Sequence, residues 1–263
     1  MKAAISKFFL CMAVCCPPAL AEVPHLLRAC GDVNEFAPFL YFVREGGHKT
    51  STVAGLDIDV LHKVLGDAGH AVEVEMLPWA RCLVKGARGE VDLLLDGINT
   101  AERRRDFELS QSHYAMVPVF VYLANRPKPD FQSRAALARL RVCSQADYNY
   151  APYGVPNEMS RNRARTLDDA VTMLRLGRCN VMLQQGEVMQ ANAAMGGVDI
   201  LGSAEFGHET PAWVSPVQFY FLVGRTLPYR RELIDLLDQG ITRLKKSGEL
   251  ERMHNAQTGA GTR

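Results

Sequence analysis

The stretch Gly97-Ile-Asn-Thr-Ala-Glu-Arg-Arg-Arg-Asp-Phe-Glu-Leu-Ser110 sets three consecutive arginines between an apolar run and an aromatic. Charge runs are ordinarily solvated faces. A guanidinium is also a planar, bidentate match for a carboxylate. The preceding Val91-Asp-Leu-Leu-Leu95 reads as a buried strand that stops at Asp96-Gly97. A helix opening near Asn99 would put Arg103 in its first turn, where backbone N–H groups and the dipole favour an anion. Consecutive helical residues point about 100° apart, so Arg104 and Arg105 cannot share its direction and go to solvent. The competing reading pairs Arg103 with Glu102 or Asp106. Asp96, Gly97 and Asn99 border the same strand exit, and Gly97 would let the backbone approach a ligand closely.

Other arrangements carry less. Asp57 and Asp59 suggest paired carboxylates for acid–base work, but i, i+2 spacing on a helix points them to different sides. Capping of the helix that begins near them is the better reading. There is no G-x-S-x-G and no P-loop. The seven histidines show no HExxH or paired spacing, and the cysteines no CxxC, so neither a metal nor a cofactor is expected.

The chain has 263 residues, 48% hydrophobic and 22% charged, with a net charge of +1. That is enough for one large or two small domains, and the balance gives no field favouring nucleic acid. Lys2 and Lys7, the apolar Phe8–Cys16, Pro17-Pro18 and Ala19-Leu20-Ala21 together read as a secretory signal over residues 1–21, cleaved after Ala21. An uncleaved anchor is the alternative. Cleavage removes two of 30 basic residues and none of the 29 acidic ones, leaving a net charge of −1. It also removes Cys11, Cys15 and Cys16, leaving Cys30, Cys82, Cys143 and Cys179, an even set that an oxidising compartment would bridge in one of three connectivities.

Strands are expected at Leu26–Cys30, Ala71–Leu77, Val91–Leu95, Val117–Ala124, Leu140–Cys143, Cys179–Leu183 and Val217–Val223, from apolar runs or alternation. Helices are expected at Gly55–Leu65, Ala80–Gly89, Thr166–Leu176 (Thr166 as N-cap, Gly177 as stop), Glu187–Met195 and Leu227–Ala256, the last broken near Ser247-Gly248. The alternation argues for α/β lobes with largely parallel strands, whose ligand crevice lies at the strand exits.

Gly55-Leu-Asp-Ile-Asp-Val, Pro78-Trp79, Gly89-Glu-Val-Asp92, Thr100-Ala-Glu-Arg103 with Phe107 and Ser110, and Gly177-Arg-Cys-Asn180 follow one another in an order that resembles the bacterial family 3 extracellular solute-binding proteins. Lys245-Lys-Ser-Gly248 is similar to that family's C-terminal helix signature. The resemblance implies a two-lobed periplasmic binding protein fold (type II) with a double-strand hinge. Lobe 1 would be residues 22–123, with 217–263 returning to it, and lobe 2 would be 124–216.

It implies that Arg103 grips a ligand carboxylate. The Gly97–Arg103 run is one residue shorter than the family's, so a hydroxyl contact maps onto Asn99 or Thr100. Phe36 sits where the family places an aromatic against the ligand, with Glu35 competing because the loop is one residue longer. Trp79 is a candidate cleft wall and Arg81 a second anion contact. Ser144, Asp147 and Tyr148, with Tyr150, follow a strand exit in lobe 2. Gln185 falls where amino-acid binders of the family carry an aspartate for the ammonium. Either Asp96 or Asp147 substitutes, or the ligand is not an ordinary α-amino acid. Core packing or solvation is the competing reading for the aromatics and Arg81. Two intralobe disulfides, Cys30–Cys82 and Cys143–Cys179, are expected.

The function implied is a monomeric periplasmic receptor that captures a small carboxylate-bearing ligand, an amino acid or related compound, for an ABC importer permease. One alternative is an enzyme on the same scaffold, similar to cyclohexadienyl dehydratases, with Glu35, Asp96 or Asp147 as acid. Another is a ligand-sensing partner of a membrane receptor.

Overall fold

The structure, a computed structural model, describes residues 22–146, 150, 154–155 and 162–258. The expected signal segment 1–21 and the site candidates Asp147 and Tyr148 lie outside the described residues. Strand β1 (Leu26–Asp32) is followed by a hairpin of β2 (Tyr41–Glu45) and β3 (His48–Ala54), then α1 (Leu56–Gly66), β4 (Ala71–Leu77), α2 (Trp79–Ala87), β5 (Leu93–Ile98), α3 (Ala101–Asp106), β6 (Phe107–Leu109) and β7 (Tyr114–Met116). Next come β8 (Pro118–Leu123), α4 (Arg134–Leu137), β9 (Val142–Gln145), β10 (Asn162–Ala164), α5 (Leu167–Arg175), β11 (Val181–Gln185), α6 (Gly186–Ala194) and β12 (Phe206–Glu209). The chain ends with β13 (Val217–Gly224), α7 (Arg230–Lys246) and α8 (Glu249–Thr258).

Two larger sheets divide these strands. The first runs β4-β1-β5-β13-β6, with β7 also on β13; the second runs β10-β9-β11-β8-β12. Three strands of each are parallel, β4-β1-β5 and β10-β9-β11. Each sheet is completed by antiparallel neighbours, β13 on β5 and β8 on β11. The expectation of parallel sheets therefore holds for three of six strands in the first sheet and three of five in the second. The chain passes between sheets twice, at Val117 and over residues 210–216. The lobe boundary read at residue 123 falls too late: β8 pairs with β11 and β12 and belongs wholly to the second sheet.

Local chemistry accounts for most elements. In β4, the strand at the edge of its sheet, Glu73 is exposed while Val72 and Val74 are half-buried, the alternation of a one-faced strand. Helix α1 buries Leu56, Val60, Leu61, Val64 and Leu65, and α7 buries Leu233, Leu237, Ile241 and Leu244. The two helices pack directly, with Gly240 leaving room for Val64, whose Cγ1 would lie 2.2 Å from any added Cβ. Helix α5 opens on a capping box between Thr166 and Asp169 and ends before Gly177 at φ 69°. Two disulfides staple the lobes: Cys30–Cys82 ties β1 to α2, and Cys143–Cys179 ties β9 to the approach to β11.

Three expectations are corrected. The β2–β3 hairpin was not foreseen; its strands are half-buried or exposed, and the apolar Tyr41-Phe42-Val43 of β2 faces a β3 made mostly of polar residues. Strand β5 continues through Asp96-Gly97 to Ile98 because β13 pairs along it, Phe219 opposite Ile98 and Tyr220 opposite Gly97. Asp57 does not cap α1: the N-cap is Gly55, with no side-chain hydrogen bond, and Asp57 is fully buried.

Gly55 sits at φ 128°, and a Cβ there would lie 2.2 Å from the Phe39 carbonyl oxygen. The Phe39 carbonyl also accepts the Asp57 N–H at 3.0 Å, which fixes the start of α1. Gly55→Ala should therefore cost more than about 1 kcal/mol, read as a lowered midpoint in urea or thermal unfolding. An unchanged midpoint would show that the loop yields freely.

Candidate functional site

A cleft enclosing about 600 Å³ of empty space, part of it open to solvent, is lined from both sheets. The first lobe contributes Asp32 at the end of β1, Phe36 from the following loop, Trp79 at the start of α2, Leu95, Asp96 and Ile98 of β5, Arg103 of α3, and Phe219 of β13. The second contributes Tyr150 and the strand-exit pair Gln184 and Gln185 of β11. Leu95, Asp96 and Ile98 reach the cleft because β5 runs past its expected stop. Phe219 does so as the cross-strand neighbour of Ile98.

Arg103 is held from two directions. Thr100 is the N-cap of α3, and its Oγ1 accepts the Arg103 N–H at 3.1 Å. The guanidinium lies over the Trp79 ring, with Cζ 4.8 Å from the ring centroid, within cation–π range. Among the described residues it has no hydrogen-bond or ion-pair partner. The competing pairing fails in both forms, since Asp106 binds Arg105 and no bridge to Glu102 forms. Burial lowers the Arg103 pKa to about 10, with the charge of Glu102 opposing, so it stays cationic at neutral pH. Arg104 and Arg105 are exposed. Helix α3 has only six residues and its open N–H is already capped, so any anion affinity here belongs to the guanidinium rather than to the helix end.

Asp96 is a non-glycine residue at φ 54°. A buried network fixes it there. The Asp96 N–H donates to Asp57 Oδ2 at 3.1 Å, and the Tyr114 hydroxyl donates to Asp96 Oδ1. Asp57 Oδ1 meets His113 Nε2 at 2.8 Å, with both side chains fully buried. His113 stacks on Phe221 at 4.1 Å, and Tyr114 stacks on Phe39 at 4.1 Å and on Phe219 at 4.8 Å. Burial raises Asp57 to about 7 against the N–H bond from Asp96. Burial and the neighbouring Asp57 charge push Asp96 well above the carboxylate range. Burial lowers His113 to about 3, so its ring is neutral.

On the second-lobe side the polar groups are amides. Gln184 Nε2 donates to Gln145 Oε1 at 2.8 Å, and the Gln185 N–H donates to Gln184 Oε1 at 3.0 Å. The Tyr150 hydroxyl accepts the Gln145 N–H at 3.0 Å, and burial raises the phenol to about 12. An adjoining cavity shares Phe36 and Gln184 as walls and mixes the polar Glu35, Arg44, Lys49 and Gln145 with apolar residues such as Leu167 and Val188.

Of the residues named from sequence, Arg103, Asp96, Phe36, Trp79, Gln185 and Tyr150 meet around the cleft. Several others do not. Gly97 is buried against Leu222, whose Cγ would lie 2.4 Å from a Cβ at this position, so it serves sheet packing. Asn99 and Arg81 are exposed and outside the lining, and the Thr100 hydroxyl is spent on its cap. Ser144 is buried within β9. Glu35 faces the adjoining cavity, where burial alone would raise its pKa. Arg44, Lys49 and the Phe42 N–H outweigh that and hold it low. Asp32, Gln184, Leu95, Ile98 and Phe219 were missed. Ile98 and Phe219 are visible only through strand register, which one sequence does not state.

Asp57→Asn removes one titrating carboxyl and, with it, the charge that raises Asp96. A folded-state pKa near 7 lies above the unfolded value of about 3.9. The Asp57 contribution is therefore fully present below about pH 4 and is lost as pH rises through about 7. His113, shifted down, has the opposite sign: its contribution is present above about 6.5 and lost toward acid. Wild-type stability relative to Asp57→Asn should fall between pH 4 and 7.5 in denaturant melts. A difference that does not vary with pH would mean that Asp57 is ionised throughout.

Comparison with known proteins agrees with this architecture. The profile of the bacterial extracellular solute-binding proteins, family 3, matches residues 29–259. Among curated sequences none matches. Among solved structures, the substrate-binding protein of an amino acid ABC transporter superposes with a TM-score of 0.68 at 20% identity, covering 88% of this chain and 98% of that one. The substrate-binding protein AbpA from Streptococcus pneumoniae, bound to L-arginine, gives 0.69 at 18% identity, over 91% and 97%. A histidine kinase sensor domain similar to periplasmic binding proteins gives 0.70 at 16%, over 88% and 95%. At these identities the likeness concerns the fold, which is mixed α/β and two-lobed. Among the described residues no helix is long and apolar enough to cross a membrane. With the profile spanning nearly all of the described chain, the protein belongs to the bacterial extracellular solute-binding proteins, family 3.

Proposed function

We propose that this solute-binding protein captures a small carboxylate-bearing ligand, an amino acid or a related compound, in the cleft between its lobes, as a periplasmic monomer serving an ABC importer. One observation carries the carboxylate: the Arg103 guanidinium lies in the cleft over Trp79 and, among the described residues, has no partner for its donors. A half-buried guanidinium whose donors have no protein partner gives up hydration without return, and a bidentate carboxylate supplies what is missing. Closure about the two passages, at Val117 and residues 210–216, would shut the cleft on its ligand. The likeness to a histidine kinase sensor domain supports a second reading, in which the same capture is reported to a membrane receptor. The scaffold-sharing enzyme reading retains only Asp96 as an acid among the described candidates, since Glu35 is held ionised by two cations.

Arg103→Ala should weaken carboxylate binding by about 2–5 kcal/mol, measured by isothermal titration against amino acids and small organic acids. Arg103→Lys should recover only part of it, because an ammonium lacks the planar fork. The unliganded Arg103→Ala protein should melt no lower than wild type, since no partner is orphaned. Equal affinities in wild type and Arg103→Ala would remove the guanidinium from recognition.

A further inference from the structure

We infer that the body of the ligand is apolar and uncharged: the cleft is built for a carboxylate carrying a hydrocarbon or aromatic group, not for one with a cationic or anionic side chain. This rests on the carboxylate reading above and specifies what lies beyond the carboxylate.

Next to Arg103, the walls are Phe36, Trp79, Leu95, Ile98, Phe219 and Tyr150. Phe36 and Phe219 face each other at 5.6 Å between ring centroids, so this aromatic wall is a packed unit. The Tyr150 hydroxyl accepts the Gln145 N–H of its own lobe, and its ring adds to the wall. A charged ligand side chain would be stripped of water against these surfaces and would need an opposite charge in return.

Among the described residues, none on the second-lobe side of the lining provides one. Gln184 and Gln185 are neutral, and Gln184 is bound to Gln145. On the first-lobe side, Asp32 accepts the Asn34 N–H at 3.0 Å through Oδ1, beside its own backbone. Asp96 accepts the Tyr114 hydroxyl and lies against the Asp57 carboxyl, which binds its N–H. Both carboxyls sit at the exits of the neighbouring strands β1 and β5, the edge of the cleft from which Arg103 also rises. They can complement a group at the ligand's head. A cation at the far end of a side chain would meet the amides and rings instead. Among the described residues, an anionic side chain finds no second guanidinium or ammonium in the lining, because Arg44 and Lys49 belong to the adjoining cavity and are bound to Glu35.

The test is a ranking on the wild-type protein by isothermal titration, with L-phenylalanine, L-leucine and 3-phenylpropanoate against L-arginine, L-lysine and L-glutamate. The expected result is affinity at least about tenfold higher for the best apolar-bodied acid than for any charged-bodied one, of the order one desolvated contact supplies. Phe36→Leu keeps the site apolar but loses the ring, and should cost L-phenylalanine more affinity than L-leucine, with a thermal melt reporting that the variant is folded. L-Arginine or L-glutamate binding as tightly as the apolar acids would overturn the inference while leaving the carboxylate reading intact. If none of the six binds at millimolar concentration, the carboxylate reading falls and takes this inference with it.

Discussion

The cleft is organised around one desolvated guanidinium. Arg103 remains charged despite its burial, finds no carboxylate among the described residues, and rests on the Trp79 ring. A half-buried cation without a counter-charge has given up part of its hydration with no ion pair in return. Thr100 fixes the Arg103 backbone and the Trp79 ring supports its side chain before any ligand arrives, which lowers the ordering entropy of binding. Other charges nearby are satisfied among themselves. Glu35 holds Arg44 and Lys49, and Arg105 holds Asp106. The vacancy at Arg103 is therefore specific to it.

Behind that vacancy lies a second layer of polar groups. Asp57 from α1, His113 and Tyr114 around β7, and Asp96 from β5 form a continuous chain of hydrogen bonds beneath the cleft floor. It explains why an aspartate can occupy φ 54° at a strand exit: its N–H and its carboxyl are each claimed by a partner fixed in the core. Strain held by surrounding contacts in this way is characteristic of functional sites. The cost is concentrated in ionisation, which is why burial drives the two carboxyls and the imidazole toward their neutral forms.

Much of this was legible in the sequence where physics is local. The period of α1, the alternation of β4 and the capping residues of α5 are each encoded within a few neighbours, and those elements lie where expected. The disulfide pairing needed only the approximate positions of four cysteines. Arg103 was singled out by its position after a strand exit. What failed was non-local. An aspartate in a first helical turn resembles a cap, and only the approach of Asp96 and His113 from elsewhere turns Asp57 into a core anchor. Gly97 resembles a ligand-approach glycine, but the Leu222 side chain takes that space. The β2–β3 hairpin sets a short apolar stretch against a mostly polar strand, so its pattern was silent.

The two passages between sheets also set an order of assembly. All five strands of the second sheet lie between residues 118 and 209 and are contiguous in the chain. The first sheet, by contrast, has β13 inside it, bridging β5 to β6 and β7. As the polypeptide grows from its amino end, the later-made lobe has every strand it needs before the earlier one can close. Until residue 224 has emerged, β5 keeps an open edge, and the aromatic wall of the cleft lacks Phe219. The half of the molecule begun first is thus completed last.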